Sequence, residues 1–115
     1  MEERKREQIV VLIKKELSKI VFNELEFSPG ELLTFTRGVI TDDGSRLIFF
    51  FTVYPAGRES IILKQLQDRR GDLQHLLIKR LGIKYVPEVQ FEIDKGEKSR
   101  ARLEELYEKI EKVEE

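Results

Sequence analysis

Between Ile62 and Asp94 an apolar helical pattern is interrupted by Arg69-Arg70-Gly71, resumes, and gives way to a strand announced by Val86-Pro87-Glu88. Few folds accommodate that order. Ile62, Leu66, Leu73, Leu77 and Leu81 fall near one face of a helix of period 3.6, and the phase between Leu66 and Leu73 passes through positions 69 and 70. A straight helix would aim two guanidinium groups into its own core. Burying an unpaired cation is far more costly than bending the backbone. Glycine inside a helix already costs about 1 kcal/mol relative to alanine, and it tolerates dihedrals that other residues resist. The spacing therefore predicts a kink at Gly71 between two helices. Such a bend frees the amides opening the second helix, which with Arg69 and Arg70 make a donor cluster suited to a phosphate backbone. An ordinary helix-turn-helix corner with solvated arginines fits the same spacing.

The remaining elements follow from periodicity. Residues 3–24 form an amphipathic helix, with Ile9, Ile13, Leu17, Ile20 and Val21 on one stripe, and it ends before Ser28-Pro29-Gly30. A strand from Leu32 to Ile40 turns at Asp42-Asp43-Gly44 into a second from Arg46 to Tyr54, making a β-hairpin. The run Leu47-Ile48-Phe49-Phe50-Phe51 lacks polar alternation, as expected of a central strand covered on both faces or partly so. Val89-Gln90-Phe91-Glu92-Ile93-Asp94 alternates and reads as a third strand with one wet face. After the Lys95-Gly96 turn, Leu103, Leu106, Tyr107, Ile110 and Val113 mark a last amphipathic helix over residues 98–114. The predicted fold is α+β, with helices on a small mixed sheet and a right-handed crossover between the second and third strands. Its strand order does not follow from periodicity.

With 115 residues the chain is expected to form one domain, residues 1–115, long enough to bury about two-thirds of its unfolded surface. It has no cysteine, no apolar run near the roughly 20 residues that span a membrane, and a charged Glu2-Glu3-Arg4-Lys5-Arg6 opening in place of a signal-peptide core. A soluble, cytoplasmic protein is expected. The 21 Lys and Arg balance 22 Asp and Glu, so any nucleic-acid surface must come from segregated charge. Arg58, Lys64, Arg69, Arg70, Lys79, Arg80 and Lys84 gather in the middle, whereas Glu104, Glu105, Glu108, Glu111, Glu114 and Glu115 crowd the tail. Catalytic constellations are missing. The single histidine, His75, sits within a helical run; Asp42 and Asp43 are ordinary hairpin acids, and no serine lies in a nucleophile turn. No enzyme activity, cofactor or metal is expected.

The element order, the glycine-marked kink, the segment Tyr85-Val86-Pro87-Glu88-Val89-Gln90-Phe91 and the opening helix with Lys15-Glu16-Leu17-Ser18 and Ile20 resemble ribosome-binding factor A. The similarity covers nearly the whole chain. That family has a type II KH-like fold in which an Ala-x-Gly kink between two helices replaces the Gly-x-x-Gly loop, and Arg69-Arg70-Gly71 occupy the matching positions. The resemblance implies an order α-β-β-α-kink-α-β, here with an extra C-terminal helix on a three-stranded mixed sheet. It also implies a monomeric, non-catalytic assembly factor that binds the free small (30S) ribosomal subunit, contacts 16S ribosomal RNA and supports processing of its precursor. The chain departs from the family pattern in carrying Arg69 where alanine is usual and Ser28-Pro29-Gly30 where Asp-Pro-Arg is usual.

Affinity in a KH-type domain comes from backbone phosphates gripped at the helix junction, so Arg69, Arg70 and Gly71 are the first candidate contacts. Lys64, Lys79, Arg80 and Lys84 flank the junction in sequence and are the second, with a solvated helix face as their bland reading. Arg4, Lys5 and Arg6 read as a frayed terminus. A rival function is a protein-interaction module that offers Leu103, Leu106, Ile110 and Val113 to a partner helix. Packing of that stripe on its own sheet is favoured, because a three-stranded sheet needs cover.

Overall fold

The apolar run Leu47–Phe51 is the pivot of the structure, with none of its residues more than 1% exposed. The computed structural model describes residues 2–114, and side chains as far as Tyr107. Its elements are α1 (Glu3–Glu24), β1 (Leu32–Ile40), β2 (Arg46–Tyr54), α2 (Glu59–Asp68), α3 (Arg70–Leu81), β3 (Glu88–Ile93) and α4 (Glu97–Glu114). The sheet order is β1-β2-β3, which puts the pivot in the central strand. β1 pairs antiparallel with β2 from Leu32↔Tyr54 to Ile40↔Leu47, and β2 pairs parallel with β3 from Arg46↔Glu88 to Phe51↔Ile93. A parallel neighbour needs a crossover, and α2 with α3 provides it.

Strand alternation sends Leu47, Phe49 and Phe51 to one face of the sheet and Ile48 and Phe50 to the other. The first face forms the main core. Ile13, Leu17, Ile20 and Val21 of α1 join Ile62, Leu66, Leu73 and Leu77 of α2 and α3 there, against Phe35, Val89 and Phe91. Phe35 packs 5.1 Å from Phe49 and 6.1 Å from Phe91, ring centre to ring centre. Burying each large side chain of this kind contributes about 1.5–3 kcal/mol.

The second face is covered by α4. Arg37, Phe50 and Glu92 form one row across the three strands, and α4 crosses it, with Glu104 2.8 Å from Arg37 and the Tyr107 hydroxyl donating to Glu92 at 2.8 Å. One turn earlier Arg100 donates to both oxygens of Asp94 at 2.8 Å. Arg100, Glu104 and Tyr107 are spaced to share one helix face, so the described half of α4 is turned onto its own sheet. Leu106 lies half exposed, while the side chains of Ile110 and Val113 fall outside the described residues.

Asp94 is the hub of that docking. It accepts from Thr36, which stands at the β1 bulge between Phe35 and Arg37, from the Gly96 amide and from Arg100. Burial pushes its carboxyl up, but these donors outweigh burial and hold it below the ordinary value. Burial, then the hydrogen bond to Glu92, pushes the Tyr107 phenol up to about 12, so it remains a donor at physiological pH.

Candidate nucleic-acid interface

The junction between α2 and α3 is a single residue, Arg69, with φ −104° and ψ 11°. Its amide donates back to Gln65 at 3.0 Å and its carbonyl accepts from Leu73 at 2.9 Å, so it ends one helix and opens the next. The break therefore lies at Arg69 and not at Gly71, where the spacing placed it. Gly71 sits inside the first turn of α3 and is absent from the glycines with positive φ. The chain bends where a cation at a core-facing phase must leave the core, and glycine's wider dihedral range is not used. What Gly71 supplies is open space: a Cβ built there would meet nothing within 4 Å.

The two arginines diverge. Arg69 reaches the end of α1, donating to the Glu24 carbonyl and, at 3.2 Å, to the Glu24 carboxylate, with Asp72 3.9 Å away. The last carbonyls of a helix lack intrahelical partners, so this side chain closes the C-terminus of α1. Its neighbour Arg70 turns to the start of β3 and lies 3.3 Å from Glu88; both side chains are about half exposed, at 46% and 53%. Sequence spacing had grouped the two as one donor cluster; the fold separates them onto different elements.

The flanking cations are dispersed as well. Lys64 forms an exposed pair with Asp68 at 2.9 Å on α2. Arg80 lies 2.7 Å from Glu16 of α1, which is the antiparallel counterpart of the Arg69–Glu24 link at the other end of α3. Lys79 is exposed and has no partner among the described residues; with Arg80, Leu76, Ile20, Asn23 and Glu24 it lines a hollow of about 350 Å³ between α1 and α3. Lys84 is placed 5.5 Å from the ring centre of Tyr85. His75 is exposed on α3, in keeping with a helix-surface residue. Arg6 lies in α1 and reaches Asp42 at 3.5 Å, where a frayed end was expected.

Several residues that shape this surface carried no signal in the sequence. Glu24, Glu16 and Glu88 decide which cations are occupied. Gln65 holds the chain leaving α1 by both its amide groups, accepting from the Glu26 amide at 3.0 Å and donating to the Glu26 carbonyl at 3.1 Å. Gln74 does the same for the chain entering β3, through the Pro87 carbonyl and the Val89 amide, both at 2.9 Å. Away from the junction, Arg58 meets the buried Glu31 carboxylate at 2.6 Å and ties the start of α2 to the start of β1. The Arg58 hydrogen bond, against the opposing effect of burial and with help from the Ser28 amide, holds the Glu31 carboxyl below its ordinary value.

Phosphate oxygens could approach the first turn of α3. Arg70, Gly71 and Asp72 open the helix with amides that have no acceptor inside it, no side chain stands over Gly71, and the exposed Arg70 guanidinium lies alongside. Arg69 acts behind this surface by fixing α1 to the junction. Among the described residues no group of His, Cys, Asp or Glu is arranged to hold a metal ion, and no helix is long and apolar enough to cross a membrane.

These features define a class: a KH-like α+β module in which a one-residue helix junction replaces the usual loop and an added helix closes the outer face of the sheet. The family model for ribosome-binding factor A matches residues 5–107. Over 111 residues the chain is 28% identical to ribosome-binding factor A of Coprothermobacter proteolyticus, covering 96% of this chain and 81% of that one. Its fold is similar to the crystal structure of ribosome-binding factor A from Thermus thermophilus, with a TM-score of 0.60 at 19% identity over 72% of this chain and 89% of that one. It is also similar to the Thermus thermophilus factor as fitted into a cryo-EM map of a 30S complex, with a TM-score of 0.59 at 23% identity over 72% and 88% of the two chains. The chain belongs to the ribosome-binding factor A family.

Proposed function

We propose that this ribosome-binding factor is a non-catalytic, monomeric cytoplasmic assembly factor that binds the free small ribosomal subunit, contacts 16S ribosomal RNA and supports processing of its precursor. The observation that carries the reading is the family match across residues 5–107, which spans the helix junction and the whole sheet. The Thermus thermophilus relative fitted into a 30S complex supports the choice of subunit. On this chain the RNA contact is assigned to Arg70, Gly71 and Lys79 of α3, with Lys84 on the loop that follows the helix and Lys64 of α2 at the margin. Arg69 and Arg80 hold α1 against α3 and act through position. Each phosphate neutralised by lysine or arginine releases counterions, so binding weakens as salt rises.

The test is co-sedimentation of the purified protein with isolated small subunits, isolated large subunits and assembled ribosomes at two salt concentrations. Salt-sensitive capture by free small subunits above the other two supports the reading. Equal capture by all three, or by none, removes it.

A further inference from the structure

Tyr85 is the most exposed large hydrophobic residue of the described chain, at 81%, on a loop whose two ends are fixed. Gly82, in the left-handed region at φ 63°, ends α3 and donates to the Ile78 carbonyl at 3.1 Å. At the other end Gln74 clamps Pro87 and Val89. Val86 packs against the core, so the adjacent Tyr85 is turned outward. An aromatic ring held in water at this exposure gains nothing for the fold. Phe22 and Tyr54 are exposed too, at 74% and 70%, but among the described residues only Tyr85 has a cation over its ring, the Lys84 ammonium at 5.5 Å.

We propose that Tyr85 is a stacking platform for an unpaired RNA base, a deepening of the small-subunit reading that rests on it. Charge favours RNA over a protein partner. The loop from Gly82 to Pro87 carries Lys84 and no acidic residue. The loop also adjoins the phosphate surface. Gln74 holds Pro87 against the second turn of α3 and Glu88 reaches Arg70 in the first, so a strand crossing Arg70 and Gly71 continues onto the loop. Single-stranded RNA is commonly held by cations on its backbone and aromatic rings against its bases.

The experiment compares the wild-type chain with Tyr85→Ala, Tyr85→Phe and Tyr85→Leu, measuring affinity for isolated small subunits and for a single-stranded oligoribonucleotide over a range of salt. Thermal melting of each variant checks the fold, which an exposed side chain should leave unchanged. Stacking predicts about a tenfold loss in Tyr85→Ala for both probes, the same at every salt because no counterion is involved, with Phe restoring affinity and Leu failing to. Equal rescue by Leu, or a loss on subunits with none on the oligoribonucleotide, overturns the proposal in favour of an apolar protein contact. Wild-type affinity in Tyr85→Ala overturns the stacking site while leaving small-subunit binding intact. No wild-type preference for small subunits overturns both.

Discussion

Replacing Arg69 and Arg70 separately by alanine should give opposite results, although the two residues are adjacent. Arg69 is about a third exposed and donates to both the carbonyl and the carboxylate of Glu24, closing the end of α1. A hydrogen bond to a charged group contributes about 1.5–3 kcal/mol, and partial exposure places this one at the lower end. Arg69→Ala is therefore expected to destabilise by about 1.5 kcal/mol, a fall in Tm of roughly 5 °C for a domain of this size. Arg70 meets Glu88 at 3.3 Å with both side chains about half exposed. Such pairs contribute about 0–1 kcal/mol, so Arg70→Ala should barely move the melt while weakening RNA binding. Urea denaturation at constant m-value measures the first effect, and small-subunit binding under native conditions the second. Equal destabilisation by the two variants, or an unmoved midpoint in Arg69→Ala, would refute this division of roles.

Other positions give sharp expectations. At Gly38 a Cβ would lie 2.6 Å from Val10 Cγ1 and 2.8 Å from Phe49 Cε1, so Gly38→Ala should cost about 1–3 kcal/mol by overpacking, read as a lower Tm. Because the folded-state pKa of Glu31 is lowered, its contribution is present above the ordinary carboxylate range and is lost as pH falls through the lowered value. Glu31→Gln should therefore lose stability near neutrality and flatten the acid limb of the urea midpoint against pH. Phe50→Ala removes a buried ring from the face under α4 and should cost about 3–5 kcal/mol, with hydrogen exchange in α4 rising more than in α1.

Most of the fold was legible because periodicity is local. α1, β1 and β2 have the bounds the pattern predicts, and the unbroken run in β2 is covered on both faces as expected. β3 begins one residue earlier than its alternation indicated, since the Glu88 amide donates to the Ser45 carbonyl at 2.9 Å across the strand entry. Strand order awaited the structure, because the helical pattern marks the crossover from β2 to β3 but not the strand beside which β3 pairs. The site was harder to read. Spacing found the junction but placed the bend at the glycine, whereas the cation at a core-facing phase determines it. Which arginines remain available depends on carboxylates distant in the chain, such as Glu24, 45 residues from Arg69. Exposure of Tyr85 likewise follows from packing of Val86 and the Gln74 clamp, neither of which is visible in composition.

The proposed contacts of Arg70 and Lys79 with RNA phosphates of the small subunit can be counted in solution. The most direct test is the dependence of small-subunit affinity on salt for the wild type and for Arg70→Gln/Lys79→Gln. Each lost phosphate contact should reduce the slope of log affinity against log salt by about one, so the double variant should be shallower by about two, with an unchanged melting temperature. A slope identical to the wild type would contradict this assignment and move the contact away from both ends of α3.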